Sequence, residues 1–143
     1  MIQQNLHMQI GPVLLAFAVN VSAETCTLEF SQGAILEDVE LASTPEAMTA
    51  GLSGRESAGT GMLFSWPDSD YRPVWMKATS IELSAAFIGR DGSVQSIIDL
   101  EPWSEEIRWS VLPATDMLEL ARGQFQQYGI DTDSVLIRRD CED

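Results

Sequence analysis

The feature that most constrains this chain is a short apolar run near its start. Residues 10–21 read IGPVLLAFAVNV, which is about the length of a signal-peptide core and too short to span a bilayer comfortably. Small residues precede Glu24, so cleavage is expected between Ala23 and Glu24. The run has no Lys or Arg before it, which is unusual for a signal peptide, and a buried N-terminal helix is the alternative. We expect residues 1–23 to be a signal peptide and residues 24–143 to form one periplasmic or secreted domain.

All of the formal charge lies in that domain. The chain has 22 acidic and 8 basic residues, a net charge of -14, and none of these residues precedes Glu24. Nucleic acids and anionic membranes are bound mainly through Lys and Arg, so this acidity disfavours both as partners. No membrane span is expected after signal cleavage. The acidic side chains are most simply a solvated surface.

Two cysteines, Cys26 and Cys141, stand at the two ends of the expected domain. An even number of cysteines in an exported protein favours a disulfide, and the termini of a domain often lie close together. A metal site and a catalytic thiol are the alternatives. Both are weakly supported, because there is no CxxC spacing and His7, the one histidine, lies in the signal segment.

A β-hairpin is the most distinct local pattern. Apolar residues alternate with others from Ile81 onward, the dipeptide Asp91-Gly92 is typical of a tight turn, and apolar residues continue to Leu100. This pattern predicts two paired strands between Ile81 and Leu100.

The remaining patterns add short strands and two short helices. Thr44 and Pro45 are typical of a helix start, and Gly129 is typical of a helix end. Strands outnumber helices, so the predicted class is α+β, mainly β, with an antiparallel sheet curled into a small barrel or sandwich and two short helices. The other predicted strands are 39–42, 61–66, 116–120 and 134–138, and the predicted helices are 45–52 and 123–128.

Four segments have the order and spacing of a known family: LASTPEAMTAGLSGR, GMLFSWPD, PVWMKATSIELSAAFI with the following RDGSV, and MLELARGQFQQYGI. Together they resemble the domain-of-unknown-function 192 family of small bacterial and archaeal proteins, from Val39 to about Ile137. The resemblance implies a compact β-rich fold with two helices, in proteins that are often exported. It implies no particular reaction, because no activity is established for the family.

Several classes of enzyme lack their motifs in this chain. Without histidine after residue 23, the domain has no Ser-His-Asp or Cys-His nucleophile and no histidine-based zinc site. Dinucleotide-binding, P-loop and zincin motifs are also absent from the sequence. We therefore predict no cofactor and no metal, and leave open whether the protein is an enzyme.

Carboxylates are the remaining candidates for chemistry. Asp99, Glu101, Glu105 and Glu106 cluster near tryptophans, but in so acidic a chain they are more simply a solvated loop. The pairs Asp68/Asp70 and Asp131/Asp133 suit calcium by ligand type. Neither pair is followed by the glycine and glutamate of an EF-hand, so turn residues bonded to their own backbone are the simpler interpretation.

The most pointed candidate site combines Trp75, Lys77, Thr79 and Arg55. Strand alternation over 74–79 would place Trp75, Lys77 and Thr79 on one face, where a cation beside an aromatic ring could hold an anionic ligand. Arg55, which follows a glycine-rich turn, could add a bidentate contact. In the alternative interpretation Trp75 is a core residue, Lys77 lies beside it, and Arg55 caps a helix or pairs with an acid.

Two functions follow from these patterns. The favoured one is an exported binding or interaction domain for an anionic small molecule or a peptide carboxylate, with an unknown small molecule or protein as partner. The alternative is an enzyme of unknown type that uses Lys77, Arg55 or carboxylates. A structural role is a third possibility. An exposed hydrophobic patch or groove would favour a protein-binding module, whereas a deep pocket with perturbed acids or lysines would favour an enzyme.

Overall fold

The computed structural model describes residues 23–142, so the apolar run at 10–21 lies outside the described residues and the signal peptide stays a prediction. Within this part of the chain there are nine strands and two helices. Neither helix, at six and five residues, has the length needed to cross a membrane. In chain order the elements are β1 (Thr25–Phe30), β2 (Ile35–Ala42), α1 (Pro45–Ala50), β3 (Met62–Asp70), β4 (Pro73–Val74), β5 (Leu83–Ile88), β6 (Val94–Leu100), β7 (Arg108–Trp109), β8 (Ala114–Ala121), α2 (Gln124–Tyr128) and β9 (Leu136–Glu142).

Seven strands form one curled sheet in the order β6-β5-β8-β3-β2-β1-β9. The two outer strands approach each other at one end, where Ser93 and Val135 form an isolated bridge. The amide of Val94 also donates to the carbonyl of Ser134 at 3.0 Å. The sheet is thus a half-barrel, which confirms the predicted mainly β class with two short helices.

One strand pair departs from the predicted antiparallel sheet. β2 and β3 run parallel, with Leu41 opposite Leu63, whereas the other pairs of the seven-stranded sheet are antiparallel. Parallel neighbours need a crossover connection, and residues 43–61, which include α1, supply it. The sheet is therefore mixed because the chain crosses over between β2 and β3 instead of turning back.

Apolar residues cover both faces of the sheet. Along β8, Leu118 and Leu120 belong to one buried cluster, which includes Phe125 of α2. Met117 belongs to a second cluster, to which Leu52 contributes from the turn after α1. Because successive strand residues point to opposite faces, the two clusters lie on opposite sides of the sheet.

The predicted start of α1 is confirmed, and its end comes two residues early. The Thr44 hydroxyl accepts a hydrogen bond from the amide of Ala47 at 3.2 Å, and Pro45 occupies the first turn. The helix ends at Ala50, not at the predicted Leu52, because Gly51 adopts a φ of 46°, which does not continue a right-handed helix.

The predicted hairpin is also confirmed, as the pair β5 and β6. Asp91 accepts from the amide of Ser93 at 3.0 Å, and Gly92 has a φ of 82°. A Cβ on Gly92 would lie 2.4 Å from the carbonyl oxygen of Leu136, at the point where the ends of the sheet approach. Glycine at this position thus allows both the turn and the near-closure of the half-barrel.

Replacing Gly92 by alanine is expected to lower the free energy of unfolding by at least about 2 kcal/mol, since it combines a left-handed φ with a backbone clash. Gly33→Ala is the matched control, because Gly33 has a φ of 90° but nothing within 4 Å of a built Cβ. Urea unfolding of both variants measures the difference. Equal losses in the two variants would show that the contact with Leu136 does not matter.

The predicted disulfide is present. Cys26 of β1 lies directly opposite Cys141 of β9, with 3.9 Å between their Cα atoms, and the two sulfurs are bonded. Cys26 is fully buried in the first cluster, and the partly buried Cys141 packs against it. The bond joins strands 115 residues apart and holds the outer strand β9 to the sheet.

Candidate functional site

A groove of about 490 Å³ lies beside the second apolar cluster. Its lining comes from the end of α1 and the following turn (48–53), from residues 73–76 with Thr79, from strands β3 and β8, and from Leu83 at the start of β5 and Ile107. Most of the lining is apolar or aromatic. The side chains with polar groups are Thr49, Ser53, Trp66, Trp75, Thr79 and Glu119.

A small two-stranded sheet holds one side of the groove. β4 and β7 pair antiparallel, with Pro73 opposite Trp109. After β4, the amide of Met76 donates to the carbonyl of Ser104 at 3.1 Å. The groove residues between Pro73 and Thr79 are therefore fixed by backbone contacts to the chain around 103–109.

Of the described residues that line the groove, Glu119 is the one with a titratable side chain. It shares a face of β8 with Met117, and its strand neighbours are Met62 of β3 and Ala85 of β5. Only 5% of Glu119 is exposed. Among residues 23–142, no hydrogen-bond donor or cation contacts its carboxyl group.

The surroundings of Glu119 change its acidity. Burial disfavours the charged carboxylate and raises the pKa of Glu119 to about 7 from its ordinary value of 4.5. Burial is the sole cause, since no charged neighbour contributes. At neutral pH this carboxyl group is therefore close to half ionised. The charge of a bound ligand can shift this balance towards the ionised or the protonated form.

Sequence reasoning missed Glu119, although a signal for it was present. The predicted strand at 116–120 contains the segment MLELA, in which a single acid interrupts a run of apolar residues. An acid at such a position either faces solvent or is buried for a reason. The pattern alone does not distinguish these cases, because both faces of the strand contain apolar residues.

The predicted strand over 74–79 is wrong. β4 ends at Val74, and the amide of Thr79 donates to the carbonyl of Met76 at 3.1 Å, which forms a turn. Trp75 is therefore half exposed, whereas Thr79 is buried. After Val74 the backbone hydrogen bonds of this segment go to neighbouring loops and not to a partner strand. One of them runs from the amide of Gly54 to the carbonyl of Ala78 at 2.9 Å.

Lys77 lies outside the groove, next to Trp75. Its amino group is 5.4 Å from the centre of the Trp75 ring and 3.9 Å from a carboxylate oxygen of Glu105. The amino group, the ring and the carboxylate are all on exposed side chains. The amino group of Lys77 is thus adjacent both to the ring of Trp75 and to the carboxylate of Glu105.

Arg55 is occupied by an ion pair. Its guanidinium donates two hydrogen bonds to the carboxylate of Glu40, at 2.5 and 2.7 Å, and this lowers the pKa of Glu40. Arg55 does not line the groove. Of the four predicted site residues, the structure brings Trp75 and Thr79 into the groove and leaves Arg55 and Lys77 outside it. Anion binding by the four stays a prediction.

The other carboxylate candidates do not form a cluster. Asp99 accepts from the hydroxyl of Ser84 at 2.7 Å, and Glu101 pairs with Arg122 at 3.0 Å. Among the described residues, no three of the His, Cys, Asp and Glu side chains are arranged to hold a metal ion.

Both of the aspartate pairs considered for calcium have partners within the protein. Asp68 forms an ion pair with Arg72 at 2.8 Å, and Asp70 accepts from the amide of the next residue at 2.7 Å. Asp131 accepts from the amide of Asp133 at 2.9 Å. Asp70 and Asp131 thus show the backbone bonds that are typical of turn residues.

A second cavity, of about 240 Å³, brings three arginines together: Arg90, Arg138 and Arg139. Arg138 pairs with Asp140, and Arg139 pairs with Asp116 at 2.8 Å. Acidic partners therefore neutralise two of these three cations, and the cavity is less suited to an anion than its arginine content suggests.

Three exposed tryptophans lie at or next to the groove. Trp75 lines it, Trp109 pairs with the lining residue Pro73, and the amide of Trp103 donates to the carbonyl of Thr79 at 2.9 Å. Their exposed fractions are 51%, 57% and 63%, respectively. Exposed aromatic side chains next to an apolar groove are typical of a binding surface.

The fold and the groove together define a small half-barrel domain with a ligand-sized, mostly apolar groove and one buried acid. A family model described as DUF192, Uncharacterized ACR, COG1430, matches residues 27–137. The chain belongs to this family, which confirms the resemblance drawn from its sequence segments. No curated protein matches the chain.

Two solved structures are similar in fold and sequence. One, described as a candidate transcription regulator from Sinorhizobium meliloti 1021, is 31% identical with a TM-score of 0.70, over 84% of this chain and 94% of that one. The other, a protein of unknown function from Novosphingobium aromaticivorans DSM 12444, is 26% identical with a TM-score of 0.69, over 81% of this chain and 83% of that one. Neither description assigns a ligand or a reaction.

Proposed function

We propose that this protein is an exported binding domain whose groove holds the apolar part of a small molecule. The observation that carries the proposal is the groove itself. Its volume of about 490 Å³ falls within the usual range for small-molecule sites, its lining is mostly apolar, and Trp75 stands half exposed at its edge. The buried Cys26–Cys141 bond supports export, because such bonds persist in oxidising compartments.

Binding is favoured over catalysis by what the groove contains. A catalytic site usually needs two or more groups that act on the same atoms, such as a base and a group that stabilises developing charge. In the part of the chain that the structure describes, the groove offers one titratable group, Glu119. Lys77 and Arg55, which the enzymatic alternative names together with carboxylates, lie outside it.

The charge of this chain does not favour DNA binding of the kind that the description of the S. meliloti protein as a transcription regulator would suggest. A net charge of -14 opposes the approach of a phosphate backbone, and DNA-binding proteins rely on Lys and Arg contacts to phosphates. The three clustered arginines do not change this argument, because Arg138 and Arg139 are paired with acids.

The ligand chemistry also differs from the anion that the sequence favours. Among the residues that the structure describes, an anionic group in the groove would meet the carboxyl group of Glu119 and no cation, because Lys77 and Arg55 do not line it. Like charges brought together in a partly buried site repel each other strongly. The geometry therefore supports a ligand with an apolar body and no negative charge.

Hexanol is a simple probe of this proposal. We expect it to shift the NMR signals of Trp75, Thr79 and Met117, which line the groove. Trp75→Ala should weaken binding by about 5-fold to 10-fold, because the ligand loses an aromatic contact worth roughly 1 kcal/mol.

Tyr128→Ala is the matched control for this measurement. Tyr128 is a partly exposed aromatic residue on α2, which does not contribute to the groove, and its loss should leave hexanol binding unchanged. Shifts confined to residues outside the groove, or no saturable shift, would contradict the proposed function.

A further inference from the structure

We propose that the groove selects ligands that carry an amino group on an apolar body, with the carboxylate of Glu119 as counter-ion to the ammonium group. This inference rests on the proposed function and specifies the ligand class for the same groove. It depends on three features of the described residues: a cavity of ligand size, an acid in its lining, and the lack of any protein partner for that acid.

The first step is the burial of Glu119. Only 5% of the residue is exposed, yet it lines a groove that opens to the outside. Buried acids are normally paired or hydrogen bonded, because an isolated buried charge loses its hydration. Among residues 23–142, no hydrogen-bond donor or cation satisfies this carboxyl group, so a ligand in the groove is the partner best placed to do so.

The second step concerns the charges around Glu119. Within the described part of the chain, no other titratable residue lines the groove, and β5 has no ionisable side chain. On α1 the one acid is Glu46, which is exposed, and on β3 Asp68 is paired with Arg72. The acid Asp70, also on β3, accepts a hydrogen bond from the amide of Tyr71. On β8 the other acid, Asp116, is bound to Arg139.

Two cations follow lining residues closely in the chain but do not line the groove. Lys77 lies next to Glu105, and Arg55 is held in its ion pair with Glu40. Among residues 23–142 no cation lines the groove, so none is placed to compete with a ligand for the carboxylate of Glu119. Across the whole chain the net charge of -14 adds a long-range attraction for cations.

The third step is the choice between a cation and a neutral donor. A neutral hydroxyl or amide can hydrogen bond to Glu119 in either charge state, so it gains little from ionisation. An ammonium group stabilises the carboxylate by charge as well, and charge-assisted hydrogen bonds are roughly twice as strong as neutral ones. A primary amine is thus the ligand group that gains most from an otherwise unpartnered acid in an apolar wall.

Three hexyl compounds that differ only in their polar end test the inference: hexylamine, hexanol and hexanoate. Their affinities are measured by titration calorimetry at pH 8. A salt concentration of about 0.15 M limits long-range electrostatic attraction, since exposed charges are then screened beyond about 8 Å. We expect wild-type protein to bind hexylamine about 10-fold more tightly than hexanol, and hexanoate most weakly. In Glu119→Gln the advantage of the amine should fall below about 2-fold, while hexanol still binds.

Glu56→Gln is the control for net charge. Glu56 is exposed and does not line the groove, so its loss should leave the preference for hexylamine intact. A preference lost equally in Glu56→Gln and Glu119→Gln would mean that diffuse charge attracts the amine, and would overturn the inference.

Acidity gives an independent readout. Because burial raises the pKa of Glu119 to about 7, lowering the pH from 8 to about 5.5 should protonate it and reduce the affinity for hexylamine about 10-fold, with little change for hexanol. Hexylamine itself stays protonated throughout this range. A pH-independent preference for the amine would contradict a role for Glu119.

The outcomes separate this inference from the proposed function. Equal affinities for hexylamine and hexanol would overturn the inference alone and leave an apolar-ligand groove. Tightest binding of hexanoate, lost in Lys77→Met, would overturn it in favour of the anion site predicted from the sequence. Failure of all three compounds to bind would overturn the proposed function, and the inference with it.

Discussion

Reduction of the Cys26–Cys141 bond is expected to lower the free energy of unfolding by about 4 kcal/mol. The bond closes a loop of more than one hundred residues, and in the chain-entropy model a loop of that size contributes roughly 4–5 kcal/mol by restricting the unfolded chain. It also holds the outer strand β9, whose only partner strand in the seven-stranded sheet is β1. Its loss should therefore also speed hydrogen exchange along β9.

Urea unfolding of the oxidised and the reduced wild-type protein measures this effect without changing any side chain. The double variant Cys26→Ala/Cys141→Ala is the control for direct effects of the reductant, and its stability should not depend on the reductant. A difference of less than about 1 kcal/mol between oxidised and reduced protein would show that residual structure in the unfolded chain cancels the loop effect.

The hairpin and the start of α1 could be predicted because their signals are local. Thr44 caps the helix through the amide of Ala47, three residues away, and Asp91 and Gly92 shape a turn between adjacent strands. Such contacts depend little on the rest of the fold. The disulfide required one further premise, that the two ends of the domain meet, and strands β1 and β9 fulfil it.

The groove was harder to predict because it is built from distant parts of the chain. Residues 74–79 alternate in sequence like a strand, but alternation does not reveal whether a partner strand exists. Here the backbone bonds go instead to Gly54 and to residues 103–104. The parallel pairing of β2 and β3 could not be predicted for the same reason. It follows from a crossover connection, and no short sequence motif specifies that connection.

Glu119 shows most clearly which features of the site cannot be predicted from the sequence. Its strand was predicted, but the residue itself was not singled out. Its burial depends on α1 and the residues around Thr79, which cover its face of β8 from far away in the sequence. Sequence reasoning concentrated on scarce cations in an acidic chain, whereas the structure places one of the many acids in the unusual environment.

Glu119→Gln is expected to become more stable relative to wild type as the pH rises. In the folded protein burial raises the pKa of Glu119 to about 7, whereas the ordinary value is 4.5. Between these values the folded state holds a proton that the unfolded state has released, so rising pH favours unfolding. The stability associated with the proton on Glu119 is fully present below about pH 4.5, is lost up to about pH 7, and then stays constant.

The expected size of the stability change follows from the difference between the two pKa values of Glu119. A shift of about 2.5 pKa units corresponds to roughly 3 kcal/mol, and glutamine has no proton to lose. The free energy of unfolding of Glu119→Gln minus that of wild type should thus increase by about 3 kcal/mol between pH 4 and pH 8. The ion pair of Glu40 with Arg55 has the opposite pH dependence, because the pKa of Glu40 is lowered, but it is common to both proteins and cancels in the difference.

Urea unfolding at about one-unit pH intervals measures this difference, with Glu56→Gln as the control for the loss of one negative charge at an exposed position. The argument requires the increase in stability to occur between about pH 4.5 and pH 7 and to stop above it. A difference that is flat with pH would mean that Glu119 finds a partner or water in the folded protein. It would then no longer be the acid without a protein partner on which the selection of amines depends.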